Sequence, residues 1–133
     1  MKTSAIYKAI LILIALGYQT GMFAQRSLQK ARELKNNYEY AKALDYYMNF
    51  FTTNTPSSDH AREVAENYFK INDTKNAELW LSKVVTSGAS KPADVLNYAH
   101  ILRSNRKYEE AIEQYRNYAE LNPTETTKTG KRI

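Results

Sequence analysis

Similar residues recur every 34 positions through the middle of this 133-residue chain. Windows that begin at residues 31, 65 and 99 align without gaps. Two aligned columns contain alanine in all three windows, and three more contain a large apolar or aromatic residue. A fixed period of this length predicts a repeat architecture, in which each unit buries its apolar face against a neighbour. The five columns are Ala31, Ala65 and Ala99; Ala43, Ala77 and Ala111; Leu34, Tyr68 and Leu102; Tyr47, Leu81 and Tyr115; and Phe50, Val84 and Tyr118.

Each period contains two helical patterns, and no strand pattern competes with them. In the third window, Val95, Tyr98, Ala99 and Leu102 have the spacing of one helix face. Short segments rich in Asn and Asp separate the patterns and predict turns, because these residues tolerate left-handed backbone and cap helices. Gly88 suits the C-terminus of a helix. The patterns predict helices near residues 26–36, 40–53, 58–71, 74–87, 92–104 and 108–121.

The first 24 residues have the layout of a secretory signal peptide. Lys2 and Lys8 supply positive charge, residues 9–17 form an unbroken apolar run, and smaller residues lead to Ala24, after which we expect cleavage. The run is shorter than the roughly 20 apolar residues of a spanning helix. The alternative is an uncleaved anchor or a buried helix. We therefore predict a signal peptide at 1–24, three repeats over 25–123 (about 24–57, 58–91 and 92–123) and a disordered tail at 124–133.

The predicted folded part is nearly neutral, which bears on the class of partner. The whole chain has a net charge of +5, but residues 25–123 have only +1, because the excess of basic residues lies at the two ends. Nucleic-acid binding needs clustered positive charge, so we expect no nucleic-acid partner. The chain has no cysteine, which excludes disulfides, thiolate zinc sites and cysteine nucleophiles.

Signals for catalysis are lacking in the sequence. The two histidines, His60 and His100, lie forty residues apart without a metal-binding spacing, and we expect both to be surface or hydrogen-bonded side chains. Glu109, Glu110 and Glu113 are expected on a solvated helix face. We therefore predict no catalytic residue, no metal site and no cofactor.

A helix–turn–helix period of 34 residues resembles the tetratricopeptide repeat (TPR) family. Residues 107–115, KYEEAIEQY, are followed eight positions later by Pro123 and resemble the second helix of that family's repeat. The resemblance covers about 100 residues and implies an all-α fold, a right-handed superhelix of three hairpins with six helices.

Two departures from the family pattern are systematic. The family often has Trp early in the first helix and usually has Ala late in the second. Both positions lie near the packing between hairpins. We therefore expect larger side chains of the second helix to fill the space that the tryptophan of the first helix fills in the family. The residues found instead are Ser27, Ala61 and Val95 in the first helices, and Phe50, Val84 and Tyr118 in the second.

The resemblance also implies a binding surface, because the first helix of each TPR hairpin lines a concave groove. Basic residues predominate there, with leucine and phenylalanine between them, which favours an extended acidic and hydrophobic peptide. Glu66 would repel a peptide carboxylate, so the carboxylate clamp of some family members is not expected. The groove residues so implied are Leu28, Arg32, Lys35, Arg62, Glu66, Phe69, Lys70, Leu96, His100 and Arg103.

The last repeat has no predicted capping helix after Pro123. Terminal repeats normally need a polar cap. We therefore expect Ile112, Tyr115 and Tyr118 to present apolar surface that contacts a partner, further chain or a second copy.

The combination of this leader with the repeats resembles a narrower group of proteins. A leader ending in Phe23, Ala24 and Gln25 runs into tyrosine-rich repeats. This is similar to Gram-negative envelope proteins in which TPRs precede a propeller-like region and a C-terminal OmpA-like domain, some of them parts of a secretion apparatus. The resemblance implies an exported, non-catalytic scaffold that binds a protein or peptide partner in the periplasm or at the outer membrane. It also implies that the chain is an N-terminal piece or a shortened relative of such an envelope protein. The alternatives are an intracellular membrane-anchored TPR adaptor and an accessory subunit of an enzyme.

Overall fold

The structure, a computed structural model, describes residues 2–123. The described residues form six α-helices and no strand. From α2 onward, every bound agrees with the predicted one to within two residues. The predicted all-α class and the three hairpins are therefore confirmed, while the predicted tail at 124–133 lies outside the described residues. The helices are α1 Lys2–Asn36, α2 Tyr40–Phe51, α3 Ser58–Lys70, α4 Thr74–Thr86, α5 Pro92–Ser104 and α6 Tyr108–Leu121.

The first helix starts earlier than predicted and is 35 residues long. No proline interrupts it, and Gly17 and Gly21 each cost only about 0.5–1 kcal/mol in a helix interior. Its large apolar residues between Ile6 and Phe23 are exposed. By length and composition α1 is able to cross a membrane, a test that an N-terminal signal sequence also passes. Packing of α1 against α2 begins at Ala24, its first buried residue among those described.

The chain divides into two compact units, between Thr55 and Pro56. The first unit is the hairpin of α1 and α2, in which the Asn49 amide donates a hydrogen bond to Ser27 Oγ at 3.2 Å. The second unit contains the hairpins α3–α4 and α5–α6, and α4 packs against α5. Its central cluster is apolar and joins the two hairpins, because it combines residues of α3, α4 and α5. The cluster contains Ala61, Ala65, Ala77, Leu81, Val84 and Ile101, with Tyr68, Trp80 and Tyr98 packed on it.

Burial explains why the 34-residue period exists. All six recurring alanines expose 2% of their surface or less, so a larger side chain at these positions would push two helices apart. Phe50 and Val84 are also buried, as expected if larger side chains of the second helix fill the packing between hairpins. Tyr118, at the equivalent position of α6, is only half-buried.

The turn inside each hairpin has the same backbone geometry. Tyr38, Asn72 and Arg106 lie 34 residues apart and have φ angles of 63°, 63° and 62°. Each is the left-handed residue that ends the first helix. Asn72 agrees with the expectation that asparagine takes this conformation, but the other two positions do not. The residue after each turn donates a 2.9 Å bond to a carbonyl five positions back: Glu39 to Leu34, Asp73 to Tyr68 and Lys107 to Leu102.

Candidate functional site

A cavity of about 610 Å³ lies between α3 and α5 in the second unit. Its floor includes Ala65 of α3, Leu81 of α4 and Ile101 of α5, which are members of the apolar core cluster. Because α4 lies behind both helices, the two first helices of these hairpins leave a trough between them. A volume of this size is within the range of roughly 300–1,000 Å³ that ligand sites usually have.

The structure brings part of the predicted groove together at this cavity. Six of the ten predicted residues line it: Arg62, Glu66, Phe69, Lys70, His100 and Arg103. Leu96 is half-buried on α5 and does not line the cavity. Leu28, Arg32 and Lys35 lie on α1, in the first unit.

Arg62 is used within the protein. Its Nε lies 2.8 Å from both carboxylate oxygens of Asp94, and one terminal nitrogen donates to the Ala89 carbonyl at 2.7 Å. The other terminal nitrogen bonds to Asp59. Asp94 in turn accepts from the Lys91 backbone N–H at 2.8 Å and caps α5. Arg62 therefore fixes the start of α5 to α3, and its charge is largely neutralised.

A second polar contact joins the two hairpins near the turn after α5. The Asn105 amide donates to the Thr74 carbonyl at 3.0 Å and to a Glu78 carboxylate oxygen at 2.7 Å. Lys107 Nζ lies 2.7 Å from the other Glu78 oxygen. The hydrogen bond to Glu78 raises the pKa of Lys107 above its usual 10.5. These contacts, with the Arg62–Asp94 pair, set the position of α5 and so the width of the cavity.

The rim of the cavity offers one apolar and two cationic side chains. Phe69 is 42% exposed and offers apolar surface at the rim. Lys70 and Arg103 are exposed and lie in the last turns of α3 and α5. The negative end of each helix dipole stabilises a cation at this position, which is one reason to find basic residues there. Glu66, one helical turn before Lys70, adds a negative charge to the rim.

His100 is half-buried in the wall of the cavity. Its Nδ1 lies 2.8 Å from the hydroxyl oxygen of Tyr115 on α6, and the two rings meet edge to face with centroids 5.5 Å apart. Burial, and secondly the charge of Arg103, lower the pKa of the imidazole below its usual 6.5. His100 is hydrogen-bonded, one of the two expected states, and lies in the cavity wall. Tyr115 was not predicted as its partner.

The other predicted features lie away from the cavity. His60 is in the first turn of α3, where its Nδ1 accepts from the Ser57 N–H at 3.3 Å and completes a capping box. Ile112 on α6 is 50% exposed, whereas Tyr115 and Tyr118 are half-buried. Within residues 2–123, no group of three or more His, Asp or Glu side chains is arranged to bind a metal ion.

The comparisons with known proteins bear on the fold. The chain is similar to a solved structure described as the C-terminal part of a TPR repeat-containing protein from Cytophaga hutchinsonii, with 21% sequence identity and a TM-score of 0.62. The similarity covers 73% of this chain and 39% of that one, so this chain matches less than half of the solved structure. No protein-family model and no curated protein matches the sequence. The described part of the chain has the tetratricopeptide repeat fold, as the 34-residue period predicted.

Proposed function

We propose that this chain is a non-catalytic scaffold that binds an extended segment of a protein partner in the cavity between α3 and α5. The observation that carries the proposal is the cavity itself, a trough of about 610 Å³ with an apolar floor and basic residues at one end. Its two walls are held at a fixed separation by the Arg62–Asp94 and Glu78–Asn105 contacts. A preformed site of this kind binds without a large ordering cost.

The lining residues favour a particular chemistry in the ligand. An apolar side chain of the partner would pack on Phe69 and on the floor formed by Leu81 and Ile101. A carboxylate one or two residues further along would approach Lys70 and Arg103. The ligand is therefore an acidic and hydrophobic segment whose acidic part points toward the C-terminal ends of α3 and α5.

Capture from an envelope extract tests this proposal. The bait is the wild-type chain, a cavity variant that carries Lys70→Glu and Arg103→Glu, or a control that carries Lys75→Glu and Arg116→Glu. The control makes the same change of charge at exposed sites outside the cavity. The proposal expects the same protein to be captured by wild type and control and lost with the cavity variant. Equal capture by all three baits would contradict it. The identity of the captured protein would also decide whether the chain is an accessory subunit of an enzyme.

We also propose that the chain is exported and acts in the periplasm or at the outer membrane. The support is the order of charge, apolar run and small residues in the first 24 positions, together with the exposure of the apolar part of α1. A link to envelope proteins with an OmpA-like domain rests only on the resemblance of the leader and the repeats.

The alternative location is an intracellular one, with α1 retained as a membrane anchor, and the length of α1 favours it. Mass spectrometry of the N-terminal peptide from the cell-associated protein separates the two. Export with cleavage predicts a first residue of Gln25. A protein that retains residues 2–23 in the membrane fraction would support the anchored adaptor instead.

A further inference from the structure

His100 is the one histidine among the described residues that line the cavity, and imidazole is the side chain that normally changes charge closest to physiological pH. Its Nδ1 lies 2.8 Å from the hydroxyl oxygen of Tyr115, which joins this side chain of α5 to α6. A tyrosine hydroxyl donates to a neutral Nδ1 and accepts from a protonated one. The hydrogen bond therefore persists in both states of the imidazole, so that protonation changes the charge of the cavity wall while leaving the packing of α5 on α6 in place.

The charged groups that face His100 come from α3 and α5. On α3, Glu66 and Lys70 line the same cavity, and Arg62 is paired with Asp94 of α5. On α5, Arg103 lies one turn further along and lowers the pKa of the imidazole, after the larger effect of burial.

Among the described residues, no charged side chain of α4 or α6 lines the cavity. From α4 the lining residue is the apolar Leu81, and from α6 the facing group is the neutral phenol of Tyr115. Because its pKa is lowered below 6.5, the imidazole is largely uncharged at neutral pH, and the basic side of the cavity is formed by Lys70 and Arg103.

We propose that His100 makes the binding of an acidic peptide in this cavity depend on pH, with affinity rising as the imidazole takes up a proton. The inference rests on the proposed function of the cavity. A bound anion stabilises the imidazolium, so the complex takes up a proton that the free protein lacks. Affinity is then constant well above the pKa of the complex and increases as the pH falls through it. A rise of about one pKa unit on binding corresponds to about tenfold in affinity.

The experiment uses the full chain in a mild detergent and a fluorescent peptide of alternating leucine and cysteic acid. The sulfonates of this probe stay ionised, so any change comes from the protein. The dissociation constant is measured between about pH 7.5 and about pH 5.5, the range in which histidine titrates. We expect the affinity of the wild-type chain to rise several-fold as the pH falls over this range, toward a limit of about tenfold below the pKa of the free protein. The His100→Gln variant should show no rise over this range, whatever its affinity at the upper pH.

The chain contains only two histidines, which provides a matched control. The His60→Gln variant should keep the pH dependence, because His60 caps α3 and does not line the cavity. The same pH profile in wild type and His100→Gln would overturn the inference, as would loss of the profile in His60→Gln. Absence of probe binding at every pH would contradict the proposed function of the cavity and the inference with it, whereas pH-independent binding would contradict the inference alone.

Discussion

Arg62 and Arg103 both line the cavity, but their surroundings give them different roles. Arg62 holds Asp94, which is only 5% exposed, and also bonds to the Ala89 carbonyl. Arg103 is exposed in the last turn of α5. Removing Arg62 leaves a buried carboxylate without its cation, which costs much more than removing an exposed arginine.

We expect Arg62→Ala to lower the free energy of unfolding by about 2–3 kcal/mol. Arg103→Ala should change it by less than about 0.5 kcal/mol. Urea denaturation followed by circular dichroism measures both. Similar effects of the two substitutions would mean that the Arg62–Asp94 pair does not fix α5 to α3.

His100 also links pH to stability. Its pKa is lowered in the folded chain, so the unfolded chain takes up the proton first as the pH falls. The contribution of His100 to stability is therefore complete above its usual 6.5, decreases as the pH drops from there toward the lower folded-state value, and is constant below it.

We expect wild type to lose stability across this range, with a smaller loss in His100→Gln. Thermal unfolding at a series of pH values measures the difference. Parallel curves for the two proteins would show that burial in the cavity wall does not disfavour the charged imidazole.

At the scale of the element, the turns inside the hairpins contain residue types that disfavour the left-handed backbone conformation found there. Arg106 and Tyr38 have side chains that disfavour a positive φ, whereas glycine takes this conformation freely. The left-handed conformation costs an ordinary residue about 1–2 kcal/mol. Glycine offsets about 0.5–1 kcal/mol of that advantage, because it loses more backbone entropy on folding.

We therefore expect Arg106→Gly to raise the free energy of unfolding by about 0.5–1 kcal/mol. Arg106→Ala is the control, because alanine keeps the steric cost, and it should give no gain. The comparison uses the same denaturant titration. A destabilised glycine variant would mean that residue 106 does not have a positive φ in the folded protein.

The helices were predictable from the sequence because each repeat contains the same pattern of residues. A buried alanine at a fixed spacing keeps two helices close, and the same requirement returns in every hairpin, so the period predicted α2 to α6 with their bounds. The start of α1 was not predictable in this way, since no residue before Asn36 breaks a helix. The turn residue at Tyr38 also escaped prediction, because two asparagines, the usual choice, stand just before it.

The contacts of the site were only partly predictable. Resemblance to TPRs indicated which faces of α3 and α5 would meet, and six residues of the cavity followed from it. The Arg62–Asp94 pair left no periodic signal: Leu96 stands one period after Arg62, and His60 stands one period before Asp94. A pair that occurs between only two repeats is visible in coordinates but not in an alignment of the repeats.

At the scale of the whole molecule, the last described helix has an exposed outer face. Ala111 is the one buried residue of α6, whereas α2 and α4 bury several. Tyr108 and Ile112 are each at least half exposed. In a repeat array such a face is normally covered by a further element or by a partner.

We expect Ile112→Lys to reduce self-association of the chain without lowering its melting temperature. Leu79→Lys, at an equally exposed leucine on α4, is the control and should have little effect. Sedimentation velocity in detergent over a range of concentrations measures the change. A wild-type chain that stays monomeric throughout would show that the exposed face of α6 does not drive self-association.

Photo-cross-linking in cells tests the central claim most directly, namely that the trough between α3 and α5 receives another polypeptide. A photoreactive amino acid replaces Asn97, an exposed residue that lines the cavity, or Glu113, an exposed residue of α6 outside it. The account predicts a discrete cross-linked protein from position 97, lost when Lys70 and Arg103 are changed to glutamate, and none of that species from position 113. No adduct at position 97, or the same adduct from both positions, would contradict it.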